Sequence, residues 1–159
     1  MRSKIYLGIA SVLSAGAGFA PAVTAAAPED ACALLTAAQV GSAVGTPMSE
    51  GSYVTPTFKK TCTWTAAHAG ANGVKIVTVW FEGVEMFAGG LKAARNPGVS
   101  TSSIGGLGDS AYYLTVGNFV ALHVKKGGAA LKVAVYASLP ADRVQAMEKT
   151  LAQAVVAKL

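Results

Sequence analysis

The sequence predicts an α+β domain: antiparallel strands form the sheet and helices pack on one of its faces, in the order α-β-β-β-α-β-β-β-α. Two observations carry this. Between Ala111 and Ala137, three apolar and β-branched runs are joined by Gly117-Asn118 and Gly127-Gly128, which read as tight hairpin turns. From Pro140 to Leu159, Val144, Met147, Leu151 and Val155 recur at helical spacing, with Pro140 suited to the first turn.

The chain opens on the basic stretch Met1-Arg2-Ser3-Lys4. An uncharged run, Ile5 to Ala20, follows, then Pro21 and small residues to Ala27. Basic, apolar and small-residue regions in that order read as a secretory signal peptide. A membrane span needs about 20 predominantly apolar residues; Ile5 to Ala20 is shorter and diluted by Gly and Ser. Cleavage after Ala25 or Ala26 is expected, giving a signal peptide over 1–26 and a single domain over 27–159. Cys32 follows Glu29-Asp30-Ala31, which is no lipoprotein acylation site. The expectation is therefore a free periplasmic or secreted product with no transmembrane segment in its mature chain.

The formal net charge is +5, and removal of Arg2 and Lys4 with the leader lowers it by two. The remaining basic residues are scattered, whereas nucleic-acid binding needs a clustered stripe. Nucleic acid is not an expected partner.

Thr36 and Gln39 have capping-box spacing, so the first helix starts after Thr36 and ends at Gly45. Gly51 to Thr57 contains Pro56 and is at best an edge strand. Cys62, Trp64 and Ala66 alternate with threonines, placing Trp64 inward. His68 to Gly73 is a turn with Asn72-Gly73 as hairpin signal, and Val74 to Phe81 is the next strand. Glu85 to Arg95 reads as the second helix, stopped by Asn96-Pro97-Gly98, and Val99 to Asp109 as a Ser/Gly loop.

Cys32 and Cys62 are the only cysteines. In an oxidising compartment an even count pairs, and no close Cys-x-x-Cys spacing marks a redox site. The pair reads as a staple between the first helix and the sheet.

In the last three strands Val120, Leu122 and Val124 share one face, as do Leu131, Val133 and Val135. These should meet the helices. The other face then shows Phe119, His123 and Lys125, with Lys132 and Tyr136 across from them, and Tyr113 joins by the same alternation. Tyr113, His123, Lys125, Lys132 and Tyr136 are thus the candidate binding face, an aromatic and basic surface if no helix covers it. The plain alternative is a solvated sheet face.

Catalytic patterns are not filled. Gly106-Leu107-Gly108-Asp109-Ser110-Ala111 fits a dinucleotide fingerprint in letters only. A Ser-rich loop precedes it and a Tyr-Tyr strand follows, so it reads as a turn in which Asp109 bonds local amides. His68 and His123 lack metal-ligand spacing. No Gly-x-Ser-x-Gly elbow occurs after the leader. Glu82 and Glu85 read as favourable charge at a helix start. No catalytic residue, cofactor or metal is assigned.

The layout of Cys32-Ala33-Leu34-Leu35-Thr36, Gly45, Cys62-Thr63-Trp64, Gly106 to Tyr113 and the closing helix resembles small exported bacterial proteins of unknown function. It resembles in particular the cell-envelope lipoproteins likened to the Mog1/PsbP group. That resemblance implies an α+β sandwich and a non-catalytic envelope role; the missing lipoprotein cysteine departs from it. The functional expectation is an exported non-catalytic domain binding a partner protein or small ligand. An envelope hydrolase with a non-standard site and a self-associating protein, dimerising through the sheet face, are the alternatives.

Overall fold

The computed structural model describes residues 30–68 and 73–159. The expected leader, 1–26, and positions 69–72 of the turn expected at His68–Gly73 lie outside the described residues. A short 3-10 turn (Ala31–Ala33) precedes helix α1 (Ala37–Val44). Then come β1 (Ser52–Tyr53), β2 (Thr61–Thr65), β3 (Val74–Glu82) and helix α2 (Val84–Ala93). β4 (Val99–Ile104), β5 (Ser110–Val116), β6 (Phe119–Lys126), β7 (Ala129–Ala137) and helix α3 (Ala141–Val156) complete it. The strands form one antiparallel sheet in the order β1-β2-β3-β7-β6-β5-β4. The α+β class and the alternation of helices with strand runs are as the sequence predicts.

Local chemistry sets the boundaries. Thr36 Oγ1 accepts from Gln39 N–H while Gln39 Oε1 accepts from Thr36 N–H, the reciprocal cap expected from their spacing. Gly45 ends α1 in the left-handed conformation, φ 69°. Pro56 confines β1 to two residues at the sheet edge.

Two expectations are corrected. Val99–Ile104, read as loop, is a strand: its serines and threonines are poor apolar signals, yet as an edge strand it needs only β5 beside it. The helices also divide between faces. α1 and α3 cover the face carrying Trp64, Val77, Val79, Leu122, Val133 and Val135, which is the main core. α2 lies on the other face, where Phe87 packs with Tyr112 and Ala130 in a separate cluster. The cause is the crossover: α2 joins β3 to the far edge strand β4 and must pass over β7, β6 and β5 to reach it.

The Cys32–Cys62 disulfide exists, joining the 3-10 turn to β2. Asp30 caps that turn, accepting from Cys32 and Ala33 N–H and from Tyr53 Oη. The Tyr53 hydroxyl is the largest of the influences that hold the Asp30 carboxyl below the usual carboxylate range. Gly51 passes so close to the bridge that a Cβ there would stand 2.6 Å from Cys62 Sγ and 2.9 Å from Trp64 Nε1.

The sheet is split along its central seam. β3 pairs with β7 as far as Val74↔Ala137, and β5 with β6 as far as Val116↔Phe119. Between β6 and β7, however, pairing stops at Leu122↔Val133. Beyond that point Glu148 of α3 supplies the missing acceptor: its Oε1 takes the Val135 N–H at 3.1 Å. The carboxyl is completely buried, and burial pushes it up to about 9.

Candidate functional site

Four side chains on the α2 face form one rung across the sheet. Register places Tyr112 beside His123, His123 beside Lys132, and Lys132 beside Trp80. At the α2 end the rung is buried. His123 is 5% exposed and stacks on Tyr112 with ring centroids 4.9 Å apart and planes 2° apart. Its Nδ1 lies 2.8 Å from Oε1 of the buried Glu82, at the end of β3. In the neutral ring Nδ1 then donates to the carboxylate and Nε2 keeps its lone pair. Neither His123 Nε2 nor Glu82 Oε2 has a hydrogen-bond partner among the described residues. No hydroxyl or thiol is thus presented to Nε2 as a triad-type nucleophile would be.

Tyr112 fastens α2 over this pair. Its hydroxyl donates to Phe87 O at 2.6 Å, and its ring meets Phe87 edge-on at 4.9 Å. Burial, then the Glu82 charge, push its hydroxyl up to about 12. The hydroxyl occupies the space a side chain at Gly90 would need. A Gly90→Ala protein should therefore lose about 1–3 kcal/mol of stability despite alanine's better helix propensity. Hydrogen exchange should quicken in α2 while β2 and β3 keep their protection. Equal or slower exchange in α2 would contradict this packing.

Away from α2 the rung opens. Lys132 and Trp80 are half-buried, with Lys132 Nζ 4.5 Å from the Trp80 ring centre. Burial, opposed by the Glu82 charge, draws the lysine below its ordinary value. Four residues along the strands, Tyr136 lies opposite the exposed Ile76, and its ring is 5.4 Å from that of Phe119. Ala121 and Ala134, the positions between the two sets of large side chains, are completely buried.

The five residues read from the sequence are therefore partly brought together. His123, Lys125, Lys132 and Tyr136 share the expected face, but His123 is beneath α2 and only Tyr136, at 41%, is well exposed. Tyr113 does not belong. It pairs with the core residue Leu122, points to the α3 side and donates its hydroxyl to Gln145 O at 2.8 Å. Of two consecutive tyrosines in a strand only one can share a face with His123, and register selects Tyr112. Trp80 was missed although the alternation of β3 puts it opposite the inward Val79. Glu82, read as a helix-start charge, instead pairs with a histidine 41 residues away, for which no local signal exists. Gly106 and Gly108 are turn residues with φ 75° and 61°, as expected, but Asp109 Oδ2 accepts from the N–H of Gly127, 18 residues away in the β6–β7 turn, and not from the local amides expected of it. Among the described residues no group of three or more His, Cys, Asp or Glu side chains could hold a metal ion.

Residues 10–136 match the family described as "Protein of unknown function (DUF3558)". The chain belongs to this family. The match to DUF3558 ends in β7, so the half-exposed rung falls within it and α3 beyond it. No curated protein and no solved structure matches the chain. No helix among the described residues of this DUF3558 protein is long and apolar enough to cross a membrane.

Proposed function

We propose that this DUF3558 protein is an exported, non-catalytic binding domain whose contact surface is the open part of the α2 face. The observation that carries the reading is the arrangement of Trp80, Lys132, Phe119 and Tyr136: three aromatic rings and a cation on a rigid sheet, with α2 beside them. Rigid aromatic side chains supply contact area at little entropic cost, and such residues are enriched where proteins bind partners. The partner is a protein or small ligand of the cell envelope. A disulfide within the domain is compatible with an extracellular or periplasmic setting. The likeness to Mog1/PsbP-like envelope proteins belongs to the same reading and is supported by the antiparallel sheet with helices.

A photo-crosslinking residue at Tyr136 tests it in the exporting cell, with a second at Ala146, exposed on α3, as control. The expected result is a discrete crosslinked species from position 136 that Lys132→Ala weakens and position 146 does not give. Identical patterns from both positions would overturn the reading.

A further inference from the structure

The sheet ends in two unlike edges. β1 is two residues long, with Pro56 just beyond it, and offers little to a further strand. β4 is the opposite case. It pairs with β5 without a break from Val99↔Val116 to Ile104↔Ala111, and none of its six residues is buried. Natural edge strands are guarded by shortness, charge, proline or a bulge. β4 has none of these. No charged residue occurs from Asn96 to Gly108, and the neighbouring Pro97 lies in the turn before the strand.

Register tells which backbone groups of β4 point outward. The two-residue turn Gly117-Asn118 makes Val116↔Phe119 a hydrogen-bonded pair, and such pairs alternate along antiparallel strands. Val116, Leu114 and Tyr112 therefore bond β6, while Thr115, Tyr113 and Ala111 bond Ser100, Ser102 and Ile104 of β4. Val99, Thr101 and Ser103 then turn their N–H and C=O groups away from the sheet. The Val99 N–H donates to Asn96 O in the preceding turn. The N–H and C=O groups of Thr101 and Ser103 have no partner among the described residues.

We propose that β4 pairs with β4 of a second copy of this chain, antiparallel about a two-fold axis beside Ser102. In that register Thr101 faces Ser103 of the other copy, and the outward N–H and C=O groups at both positions of both copies find partners. The side chains agree with it. Thr101 and Ser103 form hydroxyl pairs across the seam on one face, of the kind that stabilises neighbouring strands, and Ser102 meets its own copy on the other. A charged strand would repel its copy, and this one carries no charge. Self-pairing requires that one strand complement itself in reverse, which β4 does; a foreign segment would set no such condition. A seam of six residues falls short of the about 1,200–2,000 Å² of a stable interface, so the dimer is weak and forms at high local concentration.

Sedimentation equilibrium of the oxidised protein, carried to about 1 mM, tests this. A monomer–dimer equilibrium is expected. Thr101→Pro removes an outward N–H while leaving the bonds to β5 in place, and should weaken association about tenfold. Should that variant not fold, Ser103→Lys sets like charges at the seam and should act in the same direction. Ser102→Cys should form an intermolecular disulfide in air, because facing residues of a non-hydrogen-bonded pair stand about 4.5 Å apart. Ser100→Cys, displaced from the axis in each copy, should not. A parent protein monomeric at about 1 mM, variants that associate as the parent does, or equal crosslinking from positions 100 and 102 would overturn the proposal. None of these outcomes bears on the open rung, whose crosslinking test reads the sheet face at Tyr136.

Discussion

A Glu148→Gln protein is expected to be more stable than the parent at pH 7–8 and less stable below about pH 4.5. Burial pushes the carboxyl up to about 9 in the folded chain; in the unfolded chain it returns to the ordinary glutamate value of 4.5. Between these pH values the folded state holds one proton more than the unfolded state, so stability falls as pH rises through the window. The full contribution is present below 4.5 and is lost progressively toward pH 9. By pH 7 the parent has given up about 3 kcal/mol. Glutamine has no proton to take up, and its Oε1 can accept the Val135 N–H as Glu148 does. Its amide hydrogens enter a place where Oε2 has no partner, which costs about 1–2 kcal/mol. The net expectation is a gain of about 1–2 kcal/mol at neutral pH and a loss of similar size in acid. Asp30, held below its ordinary value, titrates with the opposite sign, and its contribution is lost as pH falls. It is present in both proteins and cancels in the comparison. Urea midpoints measured from pH 4 to 9 check this. Parallel curves would show that the carboxyl is ionised in the fold.

The parts of this molecule that were legible in the sequence are those fixed by neighbours along the chain. Thr36 and Gln39 declare a cap because three residues separate them. The turns at Gly117-Asn118 and Gly127-Gly128 declare hairpins because the left-handed conformation falls at Gly117 and Gly127, φ 57° in each. Trp64 declares its side by alternation. What was not legible depends on register between distant strands and on the path of one crossover. Tyr113 was placed on the wrong face because a strand's alternation gives two candidate faces until its partner is known; the pairing with Leu122 decides. β4 was hidden because an edge strand need not be apolar. Nothing near Glu82 or Glu148 in the chain tells that one meets His123 and the other enters the sheet. The candidate site therefore had Phe119, Lys132 and Tyr136 in advance, whereas Trp80 was missed and the buried His123–Glu82 hydrogen bond and the split seam required the fold.

Replacing Cys32 and the core residue Cys62 together by serine is expected to be strongly destabilising. The bridge closes a separation of 30 residues, for which loss of unfolded-chain entropy gives about 3–4 kcal/mol. For a domain of this size that corresponds to a melting temperature lower by about 10–15 °C. Both cysteines must change, because a single substitution leaves one thiol in a site that Gly51 approaches too closely to rearrange. The loss should be regional in the native state. The 3-10 turn is otherwise held by the Ala31 N–H bond to Lys59 O and by the cap at Asp30, itself tied to Tyr53. In the variant, the amides of positions 31, 32 and 33 should therefore lose their exchange protection first, ahead of β3, β6 and β7. Reduction of the parent with a thiol should reproduce the variant's denaturation midpoint. Since natural domains are stable by only about 5–15 kcal/mol, loss of the bridge removes about a fifth or more of that margin. Equal midpoints for oxidised and reduced protein would show that the unbridged chain already holds its turn against β2, and that the fold gains nothing from an oxidising compartment.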